Sequence, residues 1–258
     1  MYDFEFVKPS TVDEAIAALA SEDAQALGGG QTLIPTMKQR LASPSKLVSL
    51  SGIASMVGIS ESGGTVTIGG ATPHAEVAAA GLGAISALAG NIGDPAVRNR
   101  GTIGGSLANN DPSADYPAAV LGLGATIVTN AREIAADDYF DGMFTTALDE
   151  GEIITAVKLP VPDAACYQKF EQPASHFALT GVFVARAGDG VRVAVTGASE
   201  EGVHRWSAAE DALNANFSAD ALEGLEVSSD GMIADLHGSA AYRANLVKVL
   251  TKRAVSGC

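Results

Sequence analysis

The sequence predicts an α+β fold divided into more than one domain, and three observations lead there. A β-α-β pattern opens the chain, short strands alternate with glycine-rich turns through its middle, and a hairpin followed by a long helix occupies its last third. At 258 residues the chain can build a sizeable core, yet it has the length of two or three modest domains.

Thr11 and Glu14 stand at capping-box spacing, and Val12, Ala15, Ile16 and Leu19 share one helical face, so a short amphipathic helix is expected first. Ala24 to Leu27 is a short apolar strand that breaks at Gly28-Gly29-Gly30. Leu33 to Lys38 follows as a helix, with Pro35 tolerable in its first turn, and Lys46 to Leu50 is the next strand. The first unit, residues 1–54, thus has a glycine turn at the carboxyl end of a strand.

Thr65 to Ile68 alternates as a strand, and Pro73 to Ala80 and Ile85 to Ala89 are alanine-rich helical pieces. From Asn91 to Pro117, turn formers outnumber core residues, which reads as a long loop of the kind that carries function. Strands at Ala125 to Thr129, Ile153 to Lys158 and Tyr167 to Phe170 complete a second unit, residues 55–173. Thr180 to Ala187 and Val191 to Thr196 flank Gly188-Asp189-Gly190 as a hairpin, and Ser239 to Val255 forms a helix; these belong to a third unit, residues 174–258.

The chain is 47% hydrophobic and 18% charged, as a soluble globular protein is. Its formal net charge of -14 sets nucleic acid aside, because phosphates are neutralised by clustered Lys and Arg. Cys166 and Cys258 are the only cysteines, too few for a disulfide framework, a thiolate zinc site or a four-cysteine iron–sulfur cluster, and a reducing cytoplasm is the expected location. No leader-like apolar segment opens the sequence and no membrane span is expected. With 29 glycines against 5% aromatic residues, close approaches to bare backbone are expected to matter.

Two glycine loops could carry chemistry. Gly28, Gly29, Gly30, Gln31, Thr32 and Leu33 place successive backbone N–H groups and a helix start together, an arrangement that suits a diphosphate. A plain strand-to-helix turn explains three adjacent glycines equally well. The second loop, Thr102, Ile103, Gly104, Gly105 and Ser106 with Gly101 before it, offers glycines and two hydroxyls, and a tight surface turn is its plainer explanation. Two such loops in one chain favour a single extended ligand with two polar portions. Neither has the spacing of a Rossmann or P-loop site, and Gly104-Gly105-Ser106 lacks the last glycine of a nucleophile elbow. His74, His176, His204 and His237 are scattered and suggest no metal, while Lys169 could aim an ammonium into a cleft or simply be solvated.

Taken together, ALGGGQTLIPTMKQRLASPSKLVSL and VRNRGTIGGSLANNDPSADYPAAVLGLGAT resemble the two FAD motifs of the flavin subunits of molybdenum hydroxylases of the carbon monoxide dehydrogenase and xanthine dehydrogenase type. Their patterns are A-G-G-x-S-L and T-I-G-G-x-x-A. Gly28 stands for the usual Ala, Gln31 where some members have His, and Thr32 for Ser, which keeps the hydroxyl. The likeness continues through DDYFDGMFTTALDEGEIITAVKLP, YQKFEQPASHFALTGVFVA and DLHGSAAYRANLVKVLTKRA, nearly the whole chain.

The resemblance implies the FAD-binding fold of p-cresol methylhydroxylase and vanillyl-alcohol oxidase, two subdomains at 1–54 and 55–173, with a carbon monoxide dehydrogenase flavoprotein-like domain at 174–258. It implies non-covalent FAD lying on main chain at both loops, so that a Cβ at Gly29 or Gly104 would take space meant for phosphate oxygens. Ile92 and Ile154 match apolar positions beside the cofactor, and Asp115 and Lys169 its polar contacts. No catalytic base or metal ligand is implied in this chain. Molybdopterin would sit on a large subunit and two [2Fe-2S] clusters on a small one, in a dimer of heterotrimers, with electrons leaving to quinone, NAD or oxygen. A free-standing FAD oxidase and a non-catalytic flavin-holding module are the competing readings.

Overall fold

The computed structural model describes residues 1–258. Its first part is a three-stranded parallel sheet of order β1-β3-β2, formed by β1 (Glu5–Val7), β2 (Ala24–Leu27) and β3 (Lys46–Ser49). Helix α1 (Val12–Leu19) connects β1 to β2, and α2 (Leu33–Lys38) connects β2 to β3. Thr11 caps α1 by accepting from the Glu14 N–H at 3.2 Å, as its position predicts. Glu14 reaches back one residue further than a capping box requires, to the Ser10 N–H at 2.7 Å.

The second part is a five-stranded antiparallel sheet of order β4-β5-β8-β6-β7. Its strands are β4 (Ile59–Ser62), β5 (Thr65–Gly69), β6 (Thr126–Thr129), β7 (Glu133–Ala135) and β8 (Ile154–Pro160). Between β5 and β6 the chain forms α3 (His74–Ala79), α4 (Ala84–Gly90), α5 (Pro95–Arg98), α6 (Ile103–Asn109) and α7 (Tyr116–Gly122). The expected long loop from Asn91 to Pro117 therefore contains α5, α6 and the start of α7, joined by turns. Asp94 caps α5 through the Val97 N–H and Thr102 caps α6 through the Gly105 N–H, two cap positions that outweigh weak helix propensity in short glycine-bearing segments.

The third part is a four-stranded antiparallel sheet, β12-β11-β10-β9, made of β9 (Ala164–Glu171), β10 (Ala178–Ala187), β11 (Gly190–Thr196) and β12 (His204–Arg205). Helices α8 (Ser207–Ala215) and α9 (Ala240–Gly257) cover one face, and Ser239 caps α9. Sequence reasoning ended the second unit at residue 173, but β9 pairs with β10 from Ala164 onward, so the third sheet begins before that position. A strand's sheet membership depends on its hydrogen-bond partner, which alternation alone does not reveal. Strands β1, β4, β7 and β12 and helix α8 were not expected; each strand is four residues or shorter or lies at a sheet edge.

The third sheet is a wall between two cores. Leu179, Val182, Val184, Val193 and Val195 pack with α8 and α9, whereas Phe183, Ala185 and Ala194 join the core of the second part with Tyr116, Val120 and Ile127. The pleat sends alternate side chains to opposite faces, and both faces are buried. A smaller cluster of Ala15, Val48, Ile53, Met56, Ala71 and Ile153 fastens the first sheet to the second part.

Phe183 is fully buried, and its ring leaves no room for a Cβ at Gly122. Phe183→Ala should cost about 3–5 kcal/mol in chemical denaturation, because it opens a cavity where the third sheet meets the second part. A cost below about 1 kcal/mol would show that this wall is not rigidly packed.

Candidate functional site: a cleft between two glycine loops

A cleft of about 620 Å³ runs between the first and second parts. Gly28, Gly29, Gly30, Gln31, Thr32 and Leu33 line one side, and Thr102, Gly104, Gly105 and Ser106 line the other; Ile92, Asp115 and Ile154 also face it. Of the residues singled out in sequence, Ile103 and Lys169 stand apart. Ile103 is fully buried in the core beneath its loop.

The first loop leaves β2 and enters α2. The main-chain N–H groups of Gly28, Gly29, Gly30, Gln31 and Thr32 donate to no acceptor within the protein, and all five residues border the cleft. Such a run of unpaired amides is a receptor for anionic oxygens. Gly30 has φ of 71°, which a side chain would strain.

The second loop is built differently. It lies against the turn after β5 in a short ladder: His74 N–H donates to the Gly101 carbonyl, Ile103 N–H to Thr72 and Gly104 N–H to Gly70, at 2.9, 3.3 and 2.9 Å. Gly105 N–H donates to the Thr102 hydroxyl and Ser106 N–H to the Thr102 carbonyl. The amides of Ile103, Gly104, Gly105 and Ser106 are therefore engaged inside the protein, and only that of Thr102 has no acceptor there. The Ser106 hydroxyl, half-buried on the cleft wall, is the side-chain donor this loop presents.

The glycines at the predicted positions also have another purpose. A Cβ on Gly29 would overlap the Arg100 carbonyl and the Gly101 Cα, and one on Gly104 would overlap the Gly70 carbonyl. A Cβ on Gly28 would stand 2.9 Å from the Thr102 hydroxyl. Gly28 and Gly29 are bare where the first loop rests on the second, and Gly104 where the second loop rests on the turn at Gly70.

At one end of the cleft Asp115 is almost completely buried. Its carboxylate accepts from the Tyr167 hydroxyl at 2.6 Å and pairs with the Lys169 ammonium at 3.0 Å, and that ammonium also donates to the Asn91 carbonyl at 3.0 Å. Burial pushes the Asp115 carboxyl up from the usual aspartate range, opposed by the charge of Lys169 and the Tyr167 hydrogen bond. Lys169 thus supports Asp115 from behind and does not project into the cleft.

Sequence reasoning missed several wall residues, including Gly70, His74, Asp111, Glu152, His176 and Phe177. Glu152 is held by Arg132 through two hydrogen bonds, and also by the Thr129 hydroxyl and the Asp149 N–H. Arg132 above all pulls its carboxyl down to about 2. His74 is buried with its Nδ1 unpartnered, and burial, then the charge of Arg98, pushes it down to about 4. The available signals were Gly69-Gly70 after a strand and a lone His at a helix start, both too common to single out a site.

With this geometry established, comparison with known proteins is decisive. Residues 2–162 match the family described as the FAD binding domain in molybdopterin dehydrogenase. The carbon monoxide dehydrogenase medium chain of Afipia carboxidovorans is 34% identical, over 98% of this chain and 95% of its own length. The nicotine 6-hydroxylase medium subunit of Paenarthrobacter nicotinovorans is also 34% identical, over 97% of this chain and 95% of its own. The structure of reconstituted CO dehydrogenase from Oligotropha carboxidovorans superposes with a TM-score of 0.89 at 32% identity, covering 99% of this chain and 97% of that one. Fold and cleft define an α+β flavin-binding oxidoreductase component. The chain belongs to the FAD-binding medium subunits of the molybdenum hydroxylases, the carbon monoxide dehydrogenase and xanthine dehydrogenase family. No helix is long and apolar enough to cross a membrane.

Gly29→Ala should lower stability by on the order of 3 kcal/mol and flavin content with it, because the new Cβ separates the loops. Gly188→Ala, in open space on the far hairpin, should change stability by less than about 0.5 kcal/mol and keep the flavin. Full flavin and unchanged melting in the Gly29 variant would refute the loop-on-loop contact.

His74 gives a pH signature. Its folded value lies below the 6.5 of the unfolded chain, so the unfolded state binds the extra proton in between. The resulting stability is complete above pH 6.5 and falls as pH drops toward about 4, by roughly 3 kcal/mol. His74→Gln should remove this part of the acid dependence, seen as the difference between the two denaturation series across that range.

Proposed function

We propose that this chain holds FAD non-covalently across the cleft and serves as the electron-transfer subunit of a molybdenum hydroxylase. It stands between a [2Fe-2S] small subunit that supplies electrons and an external acceptor, quinone, NAD or oxygen, that removes them, while a molybdopterin large subunit carries out the hydroxylation. The observation that carries the reading is the run of five unpaired amides at Gly28–Thr32 in a chain whose relatives are medium subunits of such enzymes. When bound, the flavin supplies the redox chemistry.

The chain's own residues bind and orient. The amides of the first loop suit a diphosphate, with Thr32 and Leu33 at the following helix start and the Ser106 hydroxyl opposite. Ile92 and Ile154 offer apolar surface, and Asp115, held by Tyr167 and Lys169, is a polar anchor that cannot turn away. Glu152 is tied to Arg132, and His74 stays neutral above about pH 4, so neither is placed as a mobile proton carrier. A heterotrimer, doubled by symmetry, is the assembly we assign, since two cysteines cannot supply the clusters.

Acid precipitation should release FAD into the supernatant, and flavin remaining in the pellet would contradict non-covalent binding. The chain expressed alone should bind FAD yet stay inert toward carbon monoxide, purines and aldehydes, and its flavin should bleach only when the small and large subunits are restored. Turnover by the isolated chain would favour a free-standing oxidase, and absence of bleaching in the full complex would favour a flavin-holding module.

A further inference from the structure

The chain's only two cysteines, Cys166 and Cys258, are far apart in sequence and come together in the structure. Cys166 lies on β9 and Cys258 follows the last turn of α9, where its N–H still donates to the Ala254 carbonyl at 3.0 Å. The Gly257 backbone is so close to β9 that a Cβ there would stand 3.3 Å from Cys166 Sγ. Cys258 is the next residue after Gly257, which sets its thiol in the neighbourhood of Cys166, and both are free. Gln168 donates its amide to Cys166 Sγ at 3.5 Å, which orients the sulfur on this face of β9.

From this juxtaposition we propose that Cys166 and Cys258 are a redox-sensitive dithiol, which a low-molecular-weight disulfide converts into an intrachain disulfide joining the end of α9 to β9. Cys258 is the exposed member and Cys166 the half-buried one, which sets the order of events. The Cys258 thiolate attacks the S–S bond of the small disulfide, forming a mixed disulfide and expelling one small thiolate. The Cys166 thiolate then attacks the Cys258 sulfur of that mixed disulfide and expels the second. Two electrons pass from the protein pair to the small disulfide, and the two protons given up by the cysteines end on the released small thiols.

Burial and the neighbouring Cys166 push the Cys258 thiol up to about 11, with Arg186 opposing. Little thiolate therefore exists near neutrality, so formation is slow and accelerates with pH. Destabilised thiolates also make the disulfide hard to reduce once formed. The location gives the bond consequences. Cys166 packs toward α9, while the next residue, Tyr167, points through the sheet to Asp115, and Lys169 does the same. The bond would pin the one strand that holds the polar anchor of the cleft. The proposal stands independently of what the cleft binds.

The test is to incubate the full chain with oxidised glutathione at pH 8 to 9, with circular dichroism confirming that it stays folded. The expected result is loss of both free thiols, no glutathione retained, and a proteolytic map joining the Cys166 and Cys258 peptides within one chain. Cys258→Ser should form no cross-link and carry at most one glutathione. Two retained glutathiones, two thiols still free, or a cross-link that appears only between chains on a non-reducing gel would each overturn the proposal.

Discussion

The cleft depends on a contact between two stretches of main chain. Gly29 lies against the Arg100 carbonyl and the Gly101 Cα, so closely that only hydrogen fits at its α-carbon. The contact holds the end of β2 beside the start of α6, and with it the first sheet beside the second part. Gly104 repeats the arrangement one layer further in, against Gly70. Backbones meeting without side chains between them leave a narrow, well-defined seam, and a flat polar molecule can lie along it.

Around that seam the charged groups are organised by burial. Asp115 and Lys169 are both nearly excluded from water, so each would be costly without the other. Their pairing, with the Tyr167 hydroxyl and the Asn91 carbonyl, ties together the end of α4, the start of α7 and strand β9. The third sheet thereby contributes to the cleft, as do Ser175, His176 and Phe177 in the connection between β9 and β10. β9 does this with one face while its other face packs on α9, so a change at either surface has a direct mechanical route to the other.

Much of this was legible in sequence, for identifiable reasons. Thr11, Asp94 and Ser239 announce helix starts by cap chemistry, although only the first and last were recognised, because α5 has a single turn and no apolar period. The two glycine loops were legible as candidate elements, and all their singled-out residues except Ile103 line one cleft. What could not be read was the direction in which each glycine's missing side chain would point, since that depends on a distant partner, Arg100 for Gly29 and Gly70 for Gly104. The same holds for Lys169, whose partner Asp115 is in another element, and for β9, whose pairing strand follows a turn with no strong hairpin signal. Long-range packing decides these matters, and local pattern does not record it.

The first loop has one more implication. The amides we propose as its anion receptor are peptide dipoles, which carry no net charge, need no lysine or arginine and do not titrate in the physiological range. A chain with a formal charge of -14 repels polyanions at long range, yet it can still hold a short anionic group at this spot. Recognition of this kind releases no condensed counter-ions and is weakly screened by salt, since the dipoles act only at contact. Ionic strength should therefore act on the traffic of charged molecules toward the protein much more than on what stays seated in the seam.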